Sequence, residues 1–251
     1  MAIEVFNRFE NKYLLGERTY SRLRERLERE MEVDAYNKTR ETYPITNLYY
    51  DTPDSYLIRT SLAKPRYKEK VRIRAYGVPE PNAVVYAEIK KKVGGLVNKR
   101  RTALPLADAY GFLETAEPPE PQAYTNTQVL AELQYIASTR ELRPAAYLAY
   151  DRRAYFGEDE LRVSFDCNVR SRRCDLRLEA GDHSESLLGG GQYVMEIKVA
   201  RAIPLWLSKT LSEFAIYPQS FSKYGAEYKK YLREKEGYSC LNQSTRLRPA
   251  M

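Results

Sequence analysis

The sequence predicts an α+β fold: an eight-stranded antiparallel β-barrel with helices packed on its outside. Three observations carry that expectation. Eight strand-like segments follow one another with hairpin-scale connections, the pattern of an antiparallel meander. Four short amphipathic stretches need an apolar sheet face to cover. The strands alternate charged and apolar residues, so each has one face to bury and one that carries charge.

The strand-like segments are 6–14, 45–50, 68–76, 84–93, 98–104, 146–155, 161–169 and 193–199, and the Gly94-Gly95 pair suits a hairpin turn. Helical spacing appears first over 19–31, with Tyr20, Leu23, Leu27 and Met31 on one stripe. It returns over 129–136 with Leu130, Leu133 and Ala137. Pro204 opens a third helix carrying Leu207, Leu211 and Phe214, and Ser222 caps a fourth carrying Tyr224, Tyr228, Tyr231 and Leu232. The main interruption is the proline-rich stretch 116–121. One domain is expected over 1–236, followed by a loosely ordered tail, 237–251.

Composition narrows the function. The 251 residues hold one histidine, His183, in a polar loop context, which excludes a His-rich metal site and leaves little room for a His-based triad. Cys167, Cys174 and Cys240 form no CxxC pair and leave an odd thiol, which suits a reducing compartment. No apolar run is long enough to span a bilayer and the N-terminus lacks signal-peptide character, so a cytoplasmic protein is expected. Lys and Arg number 41 against 34 Asp and Glu, a net charge of +7. Tyrosine occurs 22 times and phenylalanine seven, so most aromatic bulk ends in a hydroxyl.

Parity places the charges. Glu10 and Lys12 share a strand face with Arg8; Arg72 shares one with Arg74, and Glu88 with Lys90 and Lys92. Arg162, Ser164, Asp166 and Asn168 oppose Leu161, Val163, Phe165, Cys167 and Val169, while Glu196 and Lys198 oppose Met195 and Ile197. Glu-x-Lys thus recurs on three strands, and Arg-x-Arg supplies a fourth. If the helices cover the outside of a closed sheet, these charged faces point inward and make a charged tunnel. Many like charges crowded in low dielectric repel, so such a lumen implies a polyanion and a divalent metal held by the carboxylates. Lys91, Arg100 and Arg153 fall on the opposite parity and are expected on the surface, and Cys167 in the core.

Nine motifs in order carry a resemblance over residues 6–234. They run from Arg8-Phe9-Glu10-Asn11-Lys12 and Tyr49-Tyr50-Asp51-Thr52 through Lys70-Val71-Arg72-Ile73-Arg74, Glu88-Ile89-Lys90 and Lys99-Arg100-Arg101. They continue with Tyr150-Asp151-Arg152, Arg162-Val163-Ser164-Phe165-Asp166, Glu196-Ile197-Lys198 and Ser222-Lys223-Tyr224. The set resembles the VTC domain, the polyphosphate polymerase branch of the triphosphate tunnel (CYTH-like) superfamily. The resemblance implies a tunnel that binds ATP or another triphosphate and moves its γ-phosphate onto polyphosphate with Mn²⁺ or Mg²⁺. Carried over by motif, it implies Arg72, Arg74, Lys90 and Lys198 as catalytic cations. Lys12, Lys99, Arg101, Arg152, Arg162, Ser222 and Lys223 would bind phosphate, and Glu196, Glu10, Glu88 and Asp166 the metal.

One departure bears on the reaction. Hydrolytic tunnel enzymes begin Glu-x-Glu-x-Lys, whereas Arg8 stands first here, which favours transfer or binding over hydrolysis. A non-catalytic polyphosphate binder and a metal-dependent triphosphatase remain the alternatives. Nucleic acid is not an expected partner, because glutamates stand beside the lysines where a nucleic-acid groove needs uniform basic charge. Asp51-Thr52-Pro53-Asp54 has two readings, the family's strand-end motif and an Asx-type turn.

Overall fold

A computed structural model describes residues 5–94 and 96–245, with side chains for 9–94 and 96–235. The chain runs β1 (Val5–Gly16), α1 (Glu17–Glu30), β2 (Glu32–Val33), a 3-10 turn (Ala35–Asn37), β3 (Tyr43–Asp51), α2 (Tyr56–Leu62), β4 (Tyr67–Tyr76), β5 (Val84–Val93) and β6 (Leu96–Pro105). It continues with α3 (Leu106–Thr115), α4 (Thr127–Thr139), β7 (Arg143–Phe156), β8 (Arg162–Arg172), β9 (Glu185–Ser186), β10 (Gln192–Val199), α5 (Leu205–Glu213) and α6 (Lys223–Thr245). Of the tail expected to be loose, 237–245 form the end of α6, and 246–251 lie outside the described residues.

All eight expected strands are present, and their antiparallel pairings close a ring: β7–β3–β4–β5–β6–β1–β10–β8 and back to β7. Closure leaves a strand two faces of different fate. Val71, Ile73, Val85, Ala87 and Ile89 turn outward and are sealed by α3 and α4 through Leu106, Phe112, Val129 and Leu133. On the opposite side α1 and α5 bury Leu23, Leu27 and Leu207 against Phe165, Met195 and Ile197. Each fully buried Leu or Phe of this kind contributes about 1.5–3 kcal/mol. The hydrophobic effect therefore acts on the outside of the barrel, and the charged parity is turned into the lumen.

Two helices do something else. Ile58 of α2 and Tyr224 and Tyr228 of α6 pack with Tyr49, Ala146 and Leu148, lumen-parity residues of β3 and β7, so α2 and α6 close one end of the barrel. Asp51 at the end of β3 holds this junction. It accepts from the backbone N–H groups of Leu57 (2.8 Å) and Ile58 (3.0 Å) and from the Tyr224 hydroxyl (2.9 Å), and is 1% exposed. These bonds describe a cap of α2 and not an Asx turn, since Pro53, two residues on, has no N–H to give. Asp51→Ala removes a cap and leaves buried donors unmet, so it should lower stability by about 2–3 kcal/mol in urea denaturation.

Several expectations need correction. α2 and α3 are helices that the sequence reading left out, and Pro204 precedes α5 as its cap instead of opening it. The straight alternation through β8 breaks at Asn168, which adopts φ 48° in a bulge opposite β7, so Asn168 is exposed and Val169 buried. Lys91, Arg100 and Arg153 do face outward, and each is paired there with a carboxylate. Lys91 and Arg100 share Glu132 of α4, and Arg153 is buried against Glu28 of α1. Among the described residues no helix is long and apolar enough to cross a membrane.

Candidate functional site

The lumen is a cavity of about 1440 Å³, lined by sixteen lysines and arginines and five acidic residues. Its two walls differ. On the β4–β5–β6 wall the register sets Lys70, Lys90 and Lys99 directly opposite one another on three neighbouring strands, with Lys68 opposite Lys92 beyond them. Like charges in such cross-strand positions are destabilising on their own. The next rung is Arg72, Glu88 and Arg101, and the one after it Arg74 and Tyr86. On the β1–β10–β8 wall acids and bases alternate: Glu10 opposite Lys198, Lys12 opposite Glu196.

The guanidinium groups are fixed from behind. Arg72 donates to Glu88 (2.8 Å) and to the Tyr49 hydroxyl (2.8 Å), and Arg74 to Asn47 Oδ1 (2.9 Å) and the Tyr150 hydroxyl (3.0 Å). Arg152 makes a two-pronged contact with Asp166 (2.6 and 2.8 Å). Arg162 keeps Nε buried without a hydrogen-bond partner among the described residues. Held this way, the forks lose little freedom when they grip an anion.

The carboxylates sort into two kinds. Glu88 and Asp166, expected at the metal, lie behind the cavity wall at 1% and 0% exposure. Glu88 is enclosed by Arg72, Arg74 and Lys99, and Asp166 by Arg152 and Lys223. Their oxygens are taken up by cations, so both carboxylates serve as counter-ions to the basic wall. Glu10 and Glu196 reach the lumen and share Lys12, whose Nζ lies 3.4 Å from one and 3.0 Å from the other. Burial pushes the Glu10 carboxyl up, but Lys90, with Lys12 and Lys198, outweighs it and holds the group at about 2. Glu196 is likewise held well below the ordinary value, burial notwithstanding, by Lys12, Lys198, Lys223 and Arg152.

No cluster of three acidic, histidine or cysteine ligands occurs among the described residues. Mg²⁺ or Mn²⁺ does not need one, since such an ion commonly takes one or two protein carboxylates and completes its shell with phosphate oxygens and water. Two ionised carboxylates facing a cavity with room for a phosphate chain fit that donor set.

Of the fifteen residues expected at the site, the lumen brings together thirteen, all but Glu88 and Asp166. Ser222 caps α6, accepting from Gly225 N–H (3.1 Å), and Lys223 follows it into the lumen. Arg8 lies outside the described side chains. Sequence reading passed over Lys70 as a site residue, although it shares parity with Arg72 and Arg74. Its Nζ donates to Ser222 Oγ at 2.8 Å.

Lys70 is pushed down to about 7, first by burial and then by Lys12, Lys90, Lys68 and Arg72. Lys99 is also pushed down to about 7 by burial, with Arg74 and Arg72, against the pull of Glu88. A polyanion restores the charged form, so binding draws protons in whenever the solution is more basic than these folded values. ATP binding at about pH 8, where the nucleotide is fully ionised, should therefore take up one to two protons per site. Calorimetry in buffers of different ionisation enthalpy reads this directly, and uptake should vanish at about pH 6.

A closed antiparallel ring with a basic lumen and an inward helix at one end defines a tunnel barrel of the triphosphate-binding class. The VTC domain matches residues 7–232, and the chain belongs to that family. Two solved structures share the fold. A candidate adenylate cyclase from Bacillus halodurans superposes with a TM-score of 0.53 at 17% identity, covering 88% of this chain and 96% of its own. HpAC1 from Hippeastrum, a candidate adenylyl cyclase with a dominant triphosphatase activity, gives 0.52 at 16% identity, covering 91% and 96%. No curated protein matches in sequence.

Proposed function

We propose that this protein is a phosphotransferase that lengthens polyphosphate, passing the γ-phosphoryl group of ATP to a chain held in the same tunnel. The observation that carries the reading is the lysine row Lys70–Lys90–Lys99, backed by Arg72, Arg74 and Arg101. Lys90 and Lys99 reach Glu10 and Glu88, but the cations of this wall outnumber the acids in reach, and a linear polyanion in a closed lumen would supply the balance. The odd thiol count suits the cytoplasm, where ATP is plentiful.

The mechanism asks the protein for position and charge, because the transition state of phosphoryl transfer is loose and needs little covalent help. Arg72 and Arg74 grip the transferring phosphates bidentately, oriented by Glu88, Tyr49, Asn47 and Tyr150. Lys90 and Lys198 act as point charges on either wall, while Lys12, Lys99, Arg152, Arg162 and Lys223 hold the rest of the chain. Glu196 and Glu10 would hold Mg²⁺ or Mn²⁺, which when bound neutralises charge on bridging phosphate oxygens. The acceptor is itself an ionised phosphate, so no general base is needed and the lack of a histidine in the lumen is no obstacle.

The test is incubation with ATP, Mn²⁺ or Mg²⁺ and a short polyphosphate primer, followed by gel electrophoresis. Chains longer than the primer support the polymerase. Free phosphate without chains makes the protein a triphosphatase, and polyphosphate binding with no turnover makes it a binding tunnel.

A further inference from the structure

The lumen contains a group of side chains that the phosphate chemistry does not use. At the mouth opposite α6, Tyr36 of the 3-10 turn, Tyr43 of β3, Tyr76 of β4 and Tyr86 of β5 line the cavity. The Tyr36 and Tyr76 rings are parallel within 5°, with centroids 6.0 Å apart, and Tyr86 meets Tyr76 edge-on at 6.0 Å. Tyr43 lies 5.4 Å from Tyr36 and anchors the group in the core. Tyr36 is 63% exposed and Tyr76 45%, so these two rings gain little from the fold of this chain. A flat apolar face kept half wet beside a binding cavity gains contact area when a planar ligand covers it.

The position of the rings says what kind of ligand. Tyr76 follows Arg74 by two residues on the lumen face of β4, and Tyr86 is the cross-strand partner of Arg74. Tyr76 therefore stands one rung, about 7 Å, beyond Arg74, and Tyr86 stands level with it. The Arg101 guanidinium bridges the two zones, lying over the Tyr86 ring at 4.4 Å. A ligand that fills both must carry a polyanion at one end and an aromatic plane about one sugar away. A nucleoside triphosphate has that layout, and an inorganic phosphate chain does not.

We propose that Tyr36 and Tyr76 form a stacking platform for the base of a nucleoside triphosphate, with Tyr86 and Arg101 at its edge. The platform rests on the phosphate-tunnel reading above and adds polarity to it. The base sits at the tyrosine mouth, and the γ-phosphate points along the lysine row toward α6. Stacking reads a π-face and few atoms, so the platform should accept any purine triphosphate.

Titration calorimetry with ATP and with inorganic tripolyphosphate, each with Mg²⁺, separates the two layers. The Tyr36→Ser, Tyr76→Ser double variant should bind ATP about tenfold more weakly than the wild type and tripolyphosphate equally well. Both rings are exposed, and the retained tripolyphosphate affinity reports that the barrel is intact. If the variant binds ATP as tightly as the wild type, or loses both ligands alike, the platform is wrong while the tunnel stands. If the wild type binds neither ligand, the phosphate reading falls first and takes the platform with it.

Discussion

Arg72→Ala should slow polyphosphate synthesis by about 10²–10³-fold, the usual cost of removing one preorganised charge from a transferring group. Arg72 sits at the centre of the basic wall, one rung beyond Lys70, Lys90 and Lys99, and its guanidinium already has fixed orientation from Glu88 and Tyr49. Arg72→Lys keeps the charge but not the fork, so it should recover only a small part of the rate. Stability should fall far less than activity, because Glu88 retains Lys99 at 2.6 Å and Arg74 at 3.9 Å when Arg72 is gone. The measurement is initial rate at saturating ATP and primer beside a thermal melt. A normal rate in a folded variant would remove Arg72 from the transfer step. A large loss of ATP affinity with an unchanged maximal rate would make it a binding residue alone.

Much of this architecture was legible before any coordinates, and the reason is periodicity. Two-residue alternation on eight segments needs only local chemistry to be seen, and the demand of four amphipathic helices for an apolar surface turns the charged faces inward. α3 was legible too: Leu106, Ala109, Phe112 and Leu113 have helical spacing, and all four are buried. α2 was not, since its seven residues begin where the Asp51 and Thr52 side chains cap them and are buried by α6, a partner distant in sequence. The bulge at Asn168 escaped for another reason. One extra residue reverses the parity of everything after it, and nothing in the short stretch from Cys167 to Arg172 announces the reversal.

The site shows the same division. Parity puts Glu88 and Asp166 on the lumen face correctly, but depth depends on the neighbours supplied by other strands. Glu88 stands between Arg72 on β4 and Arg101 on β6, and Asp166 opposite Arg152 on β7. Those registers bury two carboxylates that parity alone would set at the lumen surface. Lys70 was passed over for the converse reason, since its value lies in what it lacks. Its hydrogen bond is to a hydroxyl, Ser222, and its nearest charges are all positive.

Glu88 offers the sharpest test of that distinction. Burial pushes its carboxyl up, but Arg74, Lys99 and Arg72 together hold it well below the ordinary value, so it is ionised and enclosed. Glu88→Ala leaves those three cations facing one another without an anion, and breaking one side of a buried ionic cluster costs about 3–5 kcal/mol. The variant should therefore melt well below the wild type and show a lower urea midpoint at unchanged slope. A polyanion can replace the missing charge from the lumen side. Tripolyphosphate should accordingly raise the melting temperature of Glu88→Ala by more than it raises that of the wild type, because ligand binding to the folded state alone stabilises it by mass action. A metal ligand would behave differently: its loss would weaken Mn²⁺ binding even where tripolyphosphate has restored the fold. Glu196→Ala is the comparison that makes the contrast visible. It should lose Mn²⁺ affinity, whereas Glu88→Ala should keep it once tripolyphosphate has restored the fold.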